Sequence, residues 1–181
     1  CGQPLAGSMT LERDGVAIPE EEEPLPMTEY GLFPVPAEPG DYRLTYDQDE
    51  AISPYPHRST TTWTFRSGAP SGDEPGLIPL LVVGYDLPLD VRNRPTGDTA
   101  ELTVRQMTGA EQSRVRRVRA WTSTDDGTTW RAARVDPGRD GRYDVRLPRA
   151  PEGTGVSLRV SANDAAGSTI DQTLYDAYTA A

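Results

Sequence analysis

Bond-breaking chemistry needs a nucleophile, a base within reach of it and a framework that holds the two together, and this chain offers one histidine, His57, and one cysteine, Cys1. A Ser-His-Asp relay requires an imidazole to take the serine proton. His57 falls between Pro54-Tyr55-Pro56 and Arg58, in a stretch that reads as a Pro-rich loop, with nothing in the sequence to pin it down. The G-x-S-x-G elbow that exposes a serine nucleophile is absent, since Gly68-Ala69-Pro70-Ser71-Gly72 has the wrong spacing. Ala6-Gly7-Ser8-Met9-Thr10 has no histidine motif to partner it. Zinc takes a set of clustered Cys, His or carboxylate ligands, which one Cys and one His cannot complete. The acidic run Glu20 to Glu23 lacks the alternating oxygen donors of a D-x-[DN]-x-[DN]-G loop and reads as a solvated turn. With 28 acidic residues, carboxylate pairs at a glycosidase separation arise by chance. No catalytic residue, cofactor or metal ligand is therefore assigned.

The most specific motif is structural. Ser123-Thr124-Asp125-Asp126-Gly127-Thr128-Thr129-Trp130 fits S-x-D-x-G-x-x-W, an Asp box, in which Ser123 and Asp125 hydrogen-bond the turn backbone, Gly127 supplies a positive φ and Trp130 covers the turn. Asp boxes recur from blade to blade in sialidase propellers; a lone copy marks a hairpin. Just before it, Trp121 alternates onto one strand face with Arg117 and Arg119, opposite Val118 and Ala120. An exposed Trp flanked by arginines is a candidate partner-binding group; the competing reading is a Trp shielded by other parts of the chain. Trp63, Trp121 and Trp130, with eight Tyr, also raise a sugar-stacking surface as an alternative.

The elements that must position these residues are strands. Ser8–Ile18 reads as a short hairpin, with Asp14-Gly15 as its type I′ signal. Asp41–Asp47 and Thr60–Arg66 alternate, with Trp63 and Phe65 on one face. The run Ser67 to Gly76 is the clearest linker, and it suggests a small β module over 1–71, a linker at 72–77 and a second domain over 78–181. Seven strands are expected in that second domain: Ile78–Tyr85, Ala100–Gln106, Val115–Thr122, Trp130–Val135, Arg142–Leu147, Val156–Ala162 and Ser168–Tyr178. That is the strand count of an immunoglobulin-like or fibronectin type III-like sandwich. The fold class is accordingly all-β.

Composition agrees and narrows the partners. The chain has 181 residues, 17 Pro, 17 Gly and a net charge of −10, with all 18 basic residues arginine. A nucleic-acid surface needs a basic field, so none is expected. No apolar run approaches the ~20 residues of a membrane span. A single cysteine excludes an intrachain disulfide framework. Cys1 reads as a fragment boundary, with a lipid-anchored first residue as the other possibility.

Three stretches also carry a resemblance. Thr62–Gly68, Ile78–Asp86 and Val156–Gly167, with the Asp-box hairpin between the last two, resemble the C-terminal region of large secreted subtilisin-like serine peptidases of actinobacteria, from about Tyr42 to Tyr178. The resemblance implies an extracellular, noncatalytic accessory region that stabilises or docks the catalytic domain of the same precursor, or its protein substrate. None of that family's catalytic loops is matched here. A carbohydrate-binding or cell-surface interaction module, and a lipid-anchored surface protein, are the alternatives.

Overall fold

Successive side chains of a strand point to opposite faces, so a chain whose apolar residues alternate can bury one face of a sheet and must solvate the other. The computed structural model describes residues 7–20, 33–50, 57–70 and 76–181, and every regular element within them is a strand. In chain order these are β1 (Gly7–Arg13), β2 (Val16–Ile18), β3 (Gly40–Glu50), β4 (His57–Ser67), β5 (Leu81–Asp86), β6 (Thr99–Gln106), β7 (Val115–Ser123), β8 (Arg131–Ala133), β9 (Val135–Pro137), β10 (Arg142–Arg146), β11 (Gly155–Asp164) and β12 (Thr169–Thr179). They form two antiparallel sheets, one of eight strands in the order β2-β1-β3-β4-β12-β11-β7-β8 and one of four in the order β5-β6-β10-β9.

The four-stranded sheet covers the β12-β11-β7 part of the larger one. Between them lie Leu81 and Val83 of β5, Leu102 and Val104 of β6 and Val145 of β10, against Ala120, Val160, Ala162 and Ile170. Each large apolar side chain so buried contributes about 1.5–3 kcal/mol. From β5 onward the order is that of an immunoglobulin-like sandwich, with the first, second, sixth and fifth strands in one sheet and the last two joined to the third and fourth in the other. The fold is thus the expected one, a small β module followed by an immunoglobulin-like β-sandwich.

The small module is β1 to β4 in the order β2-β1-β3-β4, and its join to the sandwich is a strand pairing. β4 runs antiparallel to β12 over seven residue pairs, from Thr64↔Thr169 to Arg58↔Tyr175, so segments on either side of the stretch 72–77 share one sheet. Residues 72–75 of that stretch lie outside the described residues. Trp63 ties the two parts on the inner face: it packs against both the sandwich core and the cluster of Leu11, Tyr42 and Phe65, and its Nε1 donates to the Leu81 carbonyl at 2.8 Å. Beside it, the Tyr85 hydroxyl donates to Gln172 Oε1 at 2.9 Å, and Gln172 Nε2 donates to Thr61 Oγ1 at 2.8 Å. The polar atoms at this junction are therefore matched as well as the apolar ones.

Turn chemistry explains the connections. Asp14 and Gly15 have φ of 52° and 80°, the double positive φ that a type I′ hairpin needs. Asp140 and Gly141 repeat it, with φ of 54° and 75°, between β9 and β10.

Two local expectations are corrected. The stretch Trp130–Val135 is not one strand: Arg131–Ala133 pair with β7 in the large sheet, and Val135–Pro137 pair with β10 in the small one. Ala133 and Val135 both face the core while the chain crosses between sheets at Arg134, whose carbonyl accepts from Arg146 N at 3.0 Å. His57 is also not in a loop; its backbone opens β4, opposite Glu50 of β3, because the pairing of these strands outlasts the alternating pattern. Its side chain, like Cys1 and Glu21–Glu23, lies outside the described residues.

Trp63→Ala should cost about 3 kcal/mol and leave one cooperative transition. Urea unfolding followed by far-UV circular dichroism and by fluorescence checks this, and coincident curves are expected. Tyr178 presents the reverse case: burial pushes its phenol up to about 12, and its hydroxyl has no hydrogen-bond partner among the described residues. Tyr178→Phe should therefore be neutral or stabilising by up to about 1–3 kcal/mol, read as a raised urea midpoint.

Candidate functional site

Register across the large sheet decides which side chains meet on its outer, uncovered face. One row runs Thr10, Thr45, Thr62, Asp171, Ser161 and Arg119 across β1, β3, β4, β12, β11 and β7. The next runs Ser8, Asp47, Thr60, Thr173, Arg159 and Trp121 across the same strands. Short hydroxyls and charges fill this face because its residues alternate with the inner Leu44, Trp63, Ile170, Val160 and Ala120.

The face is cross-linked rather than merely wet. Thr64 and Thr169 hydroxyls are 2.6 Å apart, and Thr60 Oγ1 donates to Asp47 Oδ1 at 2.6 Å. Arg159 grips Asp171 with two parallel bonds, Nε to Oδ1 at 2.9 Å and Nη2 to Oδ2 at 2.8 Å. Such a fork holds both groups in one geometry, as a single point contact would not. The Arg159 guanidinium also lies 5.6 Å from the Trp121 ring centroid.

Trp121, Arg117 and Arg119 share the outer face, as their alternation requires. Trp121 is half-buried, while Arg117 and Arg119 are exposed. The four residues assigned to the Asp box also come together. Ser123 Oγ donates to Asp125 Oδ1 at 2.7 Å and accepts from Gly127 N at 2.9 Å; Asp125 accepts from Thr129 N at 2.8 Å and from Thr129 Oγ1 at 2.6 Å. Asp126 and Gly127 have φ of 53° and 79°. Glycine is required at 127 twice over, since an added Cβ would also stand 3.0 Å from Tyr175 Cε1 and 3.3 Å from Trp130 Cζ2.

What the sequence reading did not find is the cleft beside this turn. Arg58 of β4 places a guanidinium nitrogen 2.5 Å from Asp126 Oδ1 and stacks its Cζ 3.9 Å from the centre of the Tyr175 ring. With Asp47, Asp49, Thr60 and Ser8 these residues line an open polar cleft of about 690 Å³ where the small module meets the Asp-box turn. Tyr175 reaches it by pairing with Arg58 in step with Asp171 and Thr173; just beyond, β12 bulges, the register shifting opposite Ser157, with Asp176 at a φ of 47° and its N–H donating to Ser157 Oγ at 3.1 Å. Neither a bulge nor a contact between strands this far apart leaves a local pattern.

Within the cleft Arg58 is ion-paired with Asp126, and the Thr60 hydroxyl donates to Asp47. The described residues contain no cluster of three or more His, Cys, Asp or Glu able to hold a metal ion, and no helix long and apolar enough to cross a membrane. The chain matches no protein-family model, and no curated protein or solved structure is significantly similar to it.

Hydrogen bonds from the Thr129 hydroxyl, the Ser123 hydroxyl and the Thr129 amide pull the Asp125 carboxyl down to about 2 from 3.8. A folded value below the unfolded one stabilises the fold above the unfolded pKa, and that contribution fades as pH falls through the folded pKa. Wild-type protein should therefore lose melting temperature between about pH 4 and pH 2 more steeply than Asp125→Asn, which should be the less stable of the two at neutral pH. Calorimetric melts across that range check both slopes.

Proposed function

We propose that this chain is a noncatalytic, extracellular accessory region of a subtilisin-like serine peptidase, acting by holding the catalytic domain of its precursor or a protein substrate against its polar sheet face. The observation that carries this reading is where the perturbed ionisable groups sit. Asp125 and Asp90 are held low by hydrogen bonds inside their own turns, from Thr129 and Ser123 and from the Arg94 and Arg92 amides. Tyr85 and Tyr178 are pushed up by burial in the core. Catalytic groups carry their shifts in clefts, where substrate can reach them; here the carboxyl and phenol shifts belong to turns and core, and Arg58 in the cleft and Arg159 on the sheet face are raised by the hydrogen bonds they make to Asp126 and Asp171.

Protein recognition fits the outer face better than sugar stacking does. A stacking platform presents bare aromatic rings. On this face Trp121 and Tyr175 lie beside arginines, Arg159 and Arg58 respectively. Fixed arginines, carboxylates and hydroxyls are the groups by which protein surfaces select partners.

The purified chain should not react with a serine-directed fluorophosphonate, and adding it to the separately expressed catalytic domain of its precursor should raise that domain's melting temperature. Covalent labelling of the chain, or a catalytic domain indifferent to it, would overturn the proposal.

A further inference from the structure

The strongest unassigned feature is the outer edge of β7. β8 pairs only with Ala120, Trp121 and Thr122, so among the described residues no strand lies beside Val115–Arg119 on that side, while β11 occupies the other. Free edges invite further strands, and proteins guard them with charge. This one carries Arg114, Arg116, Arg117 and Arg119, four arginines in six positions, all exposed. Eight arginines elsewhere among the described residues are ion-paired, and none of these four is. In a chain with 28 acidic residues and a net charge of −10, that concentration of unpaired positive charge is local and one-sided.

A second feature adjoins it. Where the chain crosses from β8 to β9, a cleft of about 430 Å³ opens beside the edge, lined by Val118, Ala120, Trp121, Ala133 and Val135. Charge alone suffices to guard an edge; a part-apolar cleft next to the exposed backbone is what strand addition uses, since main-chain bonds give affinity and a pocket for an alternate side chain gives specificity. Like charges repel two copies of this edge from each other, and the same charges attract an acidic strand.

We propose that the open edge of β7, Val115–Arg119, is a strand-addition site for an extended acidic segment of a partner protein, with one apolar side chain of that segment entering the cleft beside Val118. The site shares Arg117 and Arg119 with the outer face of the peptidase reading, but its main-chain edge and the cleft at Val118 are separate from the polar cleft at Arg58.

The test uses the full chain and three synthetic probes: a peptide alternating Glu with Val, the same peptide with alternate amides N-methylated, and a Lys-for-Glu counterpart. Calorimetric titration should show the first binding, with affinity falling as salt rises, and the Lys peptide failing. Arg117→Glu with Arg119→Glu, on an exposed face and checked for an unchanged melt, should weaken binding about tenfold or more. N-methylation should weaken it similarly, and bound peptide should slow hydrogen exchange of the β7 amides. Equal binding of the N-methylated peptide would overturn the proposal by leaving only nonspecific charge attraction. Tighter binding of a heparin fragment than of the acidic peptide would also overturn it, as would self-association of the chain abolished by the same double variant, which would give the edge to a second copy.

Discussion

The pairing of β4 with β12 is the constraint on which the rest of the structure depends. It makes one sheet of what the chain order presents as two modules, and it brings the inner residues Thr61 and Trp63 against Gln172 and Ile170. Trp63 then belongs to two apolar clusters at once. On the opposite face the same pairing sets Arg58 beside Tyr175, within reach of Asp126 in the Asp-box turn. Core continuity and the polar cleft are two faces of one ladder.

The two faces of the large sheet divide the work of stability and selection. Inward, alternate residues bury methyl groups and aromatic rings, a non-directional gain that tolerates variation in shape. Outward, the same strands carry threonines, carboxylates and arginines locked in pairs, where geometry rather than area sets what can bind. Arg159 with Asp171, and Arg58 with Asp126, illustrate how little freedom that layer retains.

The sequence made local features legible and long-range ones not. Asp14-Gly15, the Asp box and Asp140-Gly141 announce their hairpins because φ preference and side-chain capping act within a few residues. Alternation placed Trp121, Arg117 and Arg119 on one face correctly, and Trp63 with Phe65 on another, since a strand's period is fixed by its backbone. Which strand lies beside which is another matter. Nothing near Thr61 names its partner Gln172, and nothing near Arg58 names Asp126, so the junction and the cleft had no signature. The crossing at Arg134 was hidden for the opposite reason: no Gly or Pro interrupts Trp130–Val135, and only the location of two separate partner strands divides it.

The position of β12 in the order of the chain has a kinetic meaning. It sits fourth from one end of the eight-stranded sheet, yet it follows every other strand in sequence. Thr61 must wait for Gln172, 111 residues further on, before its hydrogen bond can form. Closing so long a loop late means that β4 keeps a bare side until β12, joined to β11 across the short turn 165–168, arrives with its own free side to complete the sheet. A chain built this way exposes two adhesive ladders at once while it folds, and any factor that shields β4 until β12 arrives would speed its maturation without touching the finished molecule.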